Sequence, residues 1–141
     1  MKFAKINNEL TVSDQITIDD LKEIQAEGYK TIFCNRPDQE SKGQLAFSAI
    51  EKEAHSLGIK AIHQPVIGGQ ISDDDITQFG CYFETAQKPV FAYCRTGTRC
   101  SMLWALSQAK TLPIDEILSK AQIAGYDLST LRDRLNSLKY T

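Results

Sequence analysis

The feature that most constrains this chain is an uninterrupted apolar segment, residues 89–93, which leads directly into a polar loop and then into an apolar helix. A strand that is apolar on both faces is typical of the centre of a parallel sheet, where helices cover both sides. The loop, residues 94–101, holds two arginines, two threonines and a glycine. The next segment, residues 102–106, is apolar nearly all round, which predicts a buried helix. Strand, polar loop and buried helix in this order indicate an α/β fold with a ligand site at the loop.

Short apolar segments alternate with helical patterns along the rest of the chain, an order typical of α/β domains with a mainly parallel sheet. The predicted strands cover residues 9–13, 30–34, 59–63 and 89–93. The predicted helices lie between Thr17 and Gly28, at 41–57, after Ser72, around 102–106, at 113–124 and at 127–138. We therefore predict a short, mainly parallel sheet flanked by helices, in a single domain over residues 1–141.

Charge and hydropathy exclude several classes of protein. Sixteen Lys and Arg residues against 18 Asp and Glu residues give a net charge of −2, without the basic excess that nucleic acids or anionic membranes attract. No run of 18 apolar residues predicts a membrane span, and residues 1–8 lack the apolar core of a secretory signal. We therefore expect a cytoplasmic protein that binds neither nucleic acid nor membrane.

The cysteine pattern argues against a metal site. The four cysteines form no Cys-x-x-Cys pair, and neither histidine stands at a ligand spacing to them. A disulfide framework is equally unexpected in a chain of this size without a signal. We predict no metal and no cofactor, and we interpret the cysteines as thiols.

The loop after the central strand carries the predicted chemistry. It enters the N-terminus of a helix, where free N–H groups and the helix dipole favour an anion. Gly97 allows the backbone to turn into a cradle, and Arg99 offers a forked guanidinium for an oxyanion. Cys94 lies at the base of this cradle, where a positive field favours the nucleophilic thiolate. We predict that Cys94 and Arg99 are catalytic and that Arg95, Thr96, Gly97 and Thr98 bind the anion. The alternative is that Cys94 only packs, but packing does not require so polar a loop.

This segment resembles the loop of Cys-based phosphatases of the tyrosine and dual-specificity superfamily. It is most similar to the bacterial phosphatase-like domain of β-lactamase-hydrolase-like proteins, on Cys94-Arg95-Thr96-Gly97-Thr98-Arg99 and then Leu103-Trp104-Ala105-Leu106. Similar segments extend over residues 3–110 and include 12–15, 20–21, Gly28, 35–37, 68–69 and Asp73. The resemblance implies a phosphatase-type fold, Cys94 as nucleophile, Arg99 as oxyanion clamp and loop N–H groups from residues 95 to 99 as anion ligands. It implies a hydrolase for a small anionic substrate or a phosphoprotein. It also places Arg36 near the site, although Arg36 could equally form a structural ion pair.

Three departures from the phosphatase pattern keep other functions open. Four residues separate Cys94 from Arg99, where typical phosphatases have five. The shorter loop is similar to that of many rhodaneses, whose cysteine carries a persulfide, so a rhodanese-like sulfurtransferase is the alternative enzyme. Tyr93 stands where phosphatases have a histidine, and Cys100 stands where they have Ser or Thr, with Ser101 next to it. A non-catalytic anion-binding module is the third possibility.

The general acid that a phosphatase needs has no single candidate. Asp73, Asp74 and Asp75 are each possible, but acids also stabilise a helix start, and Asp75 fits a capping box with Ser72.

The remaining cysteines and rings have expected positions of their own. Cys34 ends a strand at the predicted catalytic edge, so it is either a redox partner of Cys94 or a buried strand residue, and Cys100 is an alternative redox partner. His63 is a candidate for substrate contact. We expect Cys81 and Trp104 in the core and His55 on the surface.

Overall fold

A computed structural model describes residues 3–141 of the chain; Met1 and Lys2, with which the predicted domain starts, lie outside the described residues. Its centre is a five-stranded sheet in the order β1-β2-β5-β3-β4. The strands are β1 (Ala4–Lys5), β2 (Leu10–Ser13), β3 (Thr31–Cys34), β4 (Lys60–His63) and β5 (Val90–Tyr93). All neighbours pair in parallel except β1, which runs antiparallel to β2 at one edge. The predicted mainly parallel sheet is therefore confirmed, with the most apolar segment as its middle strand.

Helices cover both faces of the sheet. They are α1 (Asp20–Ala26), α2 (Phe47–Ser56), α3 (Asp73–Thr85), α4 (Thr98–Ser107), α5 (Ile114–Ile123) and α6 (Arg132–Lys139). Residues of α1 and α2 share one buried cluster with Phe91, whereas α3 to α6 share a second cluster with Ala92. Because alternate residues of a strand point to opposite faces, β5 contributes side chains to both clusters. Within residues 3–141, every helix is too short or too polar to cross a membrane.

Two predicted helices begin later than the sequence pattern indicates. The segment predicted from Ser41 becomes helical only at Phe47, because Gly43 adopts a φ of 75° and Ala46 is extended. The Phe47 N–H donates instead to the Asp38 carboxylate at 2.9 Å. The last predicted helix, 127–138, starts with a 3₁₀ turn at Ser129–Leu131 and becomes α-helical at Arg132.

Single-residue expectations have mixed outcomes. Trp104 is buried and His55 is exposed, as predicted. The prediction for Cys81 is wrong: this thiol lies on the exposed side of α3, two positions from the buried ring of Phe79 and two from that of Phe83. Residues two positions apart on a helix differ by about 200° in direction, so Cys81 points away from both rings.

Candidate active site

The candidate site lies where β5 ends and α4 begins. The Cys94 N–H donates to the Ser13 carbonyl at 3.2 Å, which continues the pairing of β2 and β5 one residue past the strands. Of the predicted site residues, Cys94, Gly97 and Arg99 are buried, whereas Arg95, Thr96 and Thr98 are exposed. The loop therefore presents its polar side to solvent and keeps the cysteine at its base.

Several hydrogen bonds converge on the Cys94 sulfur. The Gly97 N–H donates to Sγ at 3.1 Å, and the N–H groups of Thr96 and Cys100 also contribute. The Cys100 thiol makes the largest contribution and, with the N–H groups, lowers the pKa of Cys94 to about 6 against the opposing effect of burial. Burial raises the pKa of Cys100 well above its ordinary value, so Cys100 keeps its proton and acts as the donor. The arrangement stabilises a Cys94 thiolate at neutral pH.

Gly97 meets two requirements at once. Its φ of 90° lies in the left-handed region, which residues with a Cβ seldom adopt. A Cβ at this position would overlap the hydroxyl of Tyr126 and lie 2.9 Å from its Cζ atom. That hydroxyl donates to the Thr96 carbonyl at 3.1 Å, so Tyr126 supports the loop from the segment after α5.

The start of α4 is fixed by hydroxyl groups. The buried Ser101 hydroxyl donates to the Gly97 carbonyl at 2.9 Å. Ser101 therefore holds the loop backbone, while the Cys100 thiol occupies the place of the hydroxyl expected beside Cys94. The Thr98 N–H donates to the Thr96 hydroxyl at 3.3 Å, so this N–H group points to another side chain of the same loop.

Arg99 is held by a carboxylate that the sequence analysis did not identify. Its two terminal nitrogens donate to the two oxygens of Glu40 at 2.7 and 2.8 Å, and one of them also donates to the Val66 carbonyl at 2.8 Å. The charge-assisted hydrogen bonds from Arg99 hold the pKa of Glu40 below its ordinary range. Paired guanidinium and carboxylate groups of this geometry are strong and directional.

Arg36 approaches the same carboxylate from the end of β3. Its Nε donates to Glu40 at 3.1 Å, and its other nitrogens donate to Gln15 at 2.8 Å and Ser41 at 3.2 Å. Arg36 thus forms a structural ion pair and at the same time contacts the partner of Arg99, so both interpretations from the sequence describe it. A Glu four residues after Arg36 is a spacing that could have revealed the pair.

Two of the three aspartates at the start of α3, Asp73 and Asp75, form contacts that stabilise the fold. Asp75 and Ser72 form the predicted capping box, with bonds of 3.0 and 3.1 Å. Asp73 accepts a hydrogen bond from Arg134 at 3.0 Å, and Asp74 is exposed. The structure thus confirms the helix-start interpretation for Asp75.

Cys34, Tyr93 and His63 pack on the other face of the sheet from the Cys94 side chain. Cys34 and Tyr93 belong to the cluster under α1 and α2, whereas Cys94 and Cys100 belong to the cluster on the opposite face. Burial raises the pKa of the Cys34 thiol, which donates to the Arg36 carbonyl at 3.5 Å. His63 stacks on Phe47 and contacts the same carbonyl through Nε2 at 2.8 Å. This supports Cys34 as a buried strand residue and gives His63 a packing role.

The chain has relatives among known protein sequences. Residues 2–111 match the sequence model of the β-lactamase hydrolase-like protein, phosphatase-like domain. A β-lactamase hydrolase-like protein of Agrobacterium fabrum is 37% identical over 109 residues, which are 77% of this chain and 25% of that protein. The chain belongs to the phosphatase-like domain family of β-lactamase hydrolase-like proteins.

Solved structures agree with this membership. The crystal structure of a candidate phosphatase from Neisseria meningitidis is 41% identical, with a TM-score of 0.87, and covers 98% of this chain and 99% of that one. The core catalytic domain of the PP-IP phosphatase SIW14 from S. cerevisiae, solved with citrate, has a TM-score of 0.72 at 14% identity, covering 97% of this chain and 84% of that one. The phosphatase-like domain therefore has the phosphatase-type fold of these two solved structures.

The matched segments cover part of this chain and a smaller part of its relatives. The phosphatase-like domain spans 25% to 30% of the length of the curated relatives it matches. The family match ends at residue 111, so Tyr126 and its contact with the loop lie beyond the matched segment. Glu40 lies inside it, three residues after the Asn35-Arg36-Pro37 segment that carries part of the resemblance.

Proposed function

We propose that this phosphatase-like domain hydrolyses phosphate monoesters through a Cys94 thiolate. The observation that carries the proposal is the convergence of loop N–H groups and the Cys100 thiol on the buried Cys94 sulfur, which lowers its pKa to about 6. A cysteine must be a thiolate to act as a nucleophile, and a pKa of about 6 favours that form of Cys94 at neutral pH. The family and the fold support the same class of reaction.

The proposed reaction has two steps. The thiolate attacks phosphorus, so that an S–P bond forms while the bond from phosphorus to the ester oxygen breaks. Water then attacks the phosphocysteine, which releases inorganic phosphate and restores the thiolate. The negative charge on the phosphoryl oxygens is stabilised by loop N–H groups and by the Arg99 guanidinium, which Glu40 holds beside the loop. The exposed Arg95, Thr96 and Thr98 at the rim are proposed to contact the anion as it enters.

Hydrolysis of an aryl phosphate tests the proposal. The wild-type chain should release the phenol, and Cys94→Ser should abolish the reaction. Arg99→Lys should lower kcat by roughly 10²-fold, because a point charge replaces a fork of donors. Cys81→Ser is the matched control, since it removes an exposed thiol on α3 and should leave the rate unchanged. A rate that Cys94→Ser does not reduce would refute the proposed nucleophile.

A sulfurtransferase is the second candidate, and the short loop is what favours it. Only four residues separate Cys94 from Arg99, which makes a smaller cradle than a phosphatase loop of five. Here the thiolate would attack the outer sulfur of thiosulfate or of a persulfide, breaking its S–S bond and releasing sulfite or a thiolate. An acceptor thiolate would then remove the sulfur from Cys94. Neither step requires an acid for the leaving group.

Mass spectrometry separates the two candidates. After incubation with a persulfide donor, one added sulfur on the Cys94 peptide that an acceptor thiol removes would favour sulfur transfer. An unmodified Cys94 together with phosphate release would favour hydrolysis. Phosphate binding without either reaction would assign the third possibility, an anion-binding module. In each enzyme the thiolate must stay reduced, so we propose a reducing compartment such as the cytoplasm.

A further inference from the structure

The proposed hydrolysis lacks a group that protonates the leaving oxygen. An alkoxide or phenoxide is a poor leaving group unless an acid gives it a proton as the P–O bond breaks. Several carboxylates near the site are already committed: Glu40 to Arg99, Asp38 to the start of α2, and Asp73 and Asp75 to contacts at α3. The end of β2 brings a further carboxylate, that of Asp14, to the loop.

Asp14 is the carboxylate that the sheet itself places beside Cys94. Ser13 is in register with Tyr93, so the next pair along the two parallel strands is Asp14 and Cys94. Two hydrogen bonds extend this pairing past the strand ends: the Cys94 N–H donates to the Ser13 carbonyl at 3.2 Å, and the Gln15 N–H donates to the Arg95 carbonyl at 3.4 Å. Asp14 lies between these two bonds, and its half-buried side chain accepts the Ser13 hydroxyl at 3.2 Å.

The side chain of Asp14 lies on the same side of the sheet as the nucleophile. Val12 and Ala92 are register partners that share one buried cluster, and Asp14 and Cys94 come two residues after them. Burial raises the pKa of Tyr126 to about 12, and the charges of Cys100, Cys94 and Asp14 add to the increase, so all three act on that hydroxyl electrostatically. Tyr126 in turn abuts Gly97 in the middle of the loop, 2.9 Å from the position of a Cβ there. Asp14 therefore flanks the cradle on the β2 side.

We propose that Asp14 is the general acid of the phosphatase reaction, supplied by the end of β2. This inference rests on the proposed function. The Asp14 carboxyl would give its proton to the ester oxygen while the S–P bond forms and the P–O bond breaks. The resulting carboxylate would then take a proton from the water that attacks the phosphocysteine, so that the acid is restored as the thiolate leaves.

Dependence on the leaving group tests this role. Asp14→Asn should lower kcat for phenyl phosphate, whose leaving group needs a proton, by about 10²-fold. The first-turnover release of dinitrophenol from dinitrophenyl phosphate should change little, because this leaving group departs without a proton and the base role of Asp14 belongs to the later hydrolysis of the phosphocysteine. Asp14→Glu should recover part of the phenyl phosphate rate, because it restores the acid. Asp115→Asn, which removes a surface carboxylate on α5, is the matched control and should affect neither substrate.

The outcomes separate this inference from the proposed function. Loss of phenol release and of first-turnover dinitrophenol release to the same extent in Asp14→Asn would overturn the role of Asp14 while the Cys94-dependent hydrolysis stands. A leaving-group effect in Asp74→Asn instead would overturn it in favour of the exposed acid at the start of α3. If the wild-type chain hydrolyses neither ester, the proposed function fails and the role of Asp14 fails with it.

Discussion

Glu40 binds Arg99 through both of its oxygens, at 2.7 and 2.8 Å, across 59 residues of sequence. The same carboxylate also accepts the Arg36 Nε at 3.1 Å. Both guanidinium groups are buried, and they share this carboxylate as an ion-pair partner. The orientation of the predicted oxyanion clamp is consequently set by a loop that follows β3, not by the segment that contains Arg99.

Replacing this carboxylate should affect both stability and activity. In Glu40→Gln, a neutral amide faces two buried cations, so we expect the free energy of unfolding to fall by roughly 1–3 kcal/mol. Arg99 should also lose its fixed orientation, and we expect kcat/KM for an aryl phosphate to fall about tenfold, or about 1.4 kcal/mol. Denaturant unfolding and steady-state kinetics measure the two effects. Glu116→Gln, in a 3.9 Å surface pair with Lys120, is the control, and equal behaviour of the two variants would contradict the role of Glu40.

The stabilising effect of Glu40 should vanish in acid. Its pKa is lower in the folded protein, chiefly because of the hydrogen bonds from Arg99, so the unfolded chain takes up the proton first as the pH falls. The contribution is thus complete above the ordinary glutamate pKa of about 4.3 and is lost as the pH falls through the lower pKa of the folded state. The unfolding free energies of wild type and Glu40→Gln should differ at neutral pH and converge at strongly acidic pH. A difference that is constant with pH would show that the carboxylate charge is not responsible.

The Cys94 thiolate should depend on the neighbouring thiol. The ultraviolet absorbance of the thiolate, taken as the difference between wild type and Cys94→Ser, should titrate with a midpoint at about pH 6. Cys100→Ala removes the largest contribution to the low pKa of Cys94 and should move this midpoint upward, so that less thiolate is present at neutral pH. Cys100→Ser keeps a donor at the same place and should stay near the wild type. An unchanged midpoint in Cys100→Ala would assign the low pKa to the backbone N–H groups alone.

The sheet could be predicted because each parallel strand is a short apolar run between turn signals. The two-residue strand Ala4–Lys5 could not, since two residues show no periodicity. The sequence pattern misplaces the start of α2 because helical spacing continues through Gly43, and only its backbone conformation shows that the helix has not yet begun. Local composition thus predicts which elements exist more reliably than where they begin.

The sequence predicts those residues of the candidate site that are close together in the chain. Cys94, Gly97 and Arg99 lie close together in a loop whose residue types indicate an anion cradle. Glu40 lies 59 residues before Arg99, and Tyr126 lies 30 residues after Thr96. No local sequence pattern predicts contacts over such separations. At position 100 the sequence pattern indicates only that a hydroxyl is missing, whereas in the structure the thiol found there lowers the pKa of Cys94.

Gly97 provides the sharpest test of the loop geometry. Gly97→Ala places a methyl group against the Tyr126 ring in a left-handed backbone conformation, so the loop must open and its N–H group must leave the Cys94 sulfur. We expect loss of activity and an upward shift of the thiolate midpoint. Gly80→Ala is the matched control: it lies inside α3, where the new methyl group would meet only Ser107 at an ordinary 3.9 Å, and alanine there should stabilise the helix by about 0.5–1 kcal/mol. If Gly97→Ala retained both activity and midpoint while Gly80→Ala behaved as expected, the loop could not depend on the conformation described for residue 97. The additional replacement Tyr126→Ala separates the two causes, because it removes the overlap and leaves the backbone strain, so only partial recovery should follow.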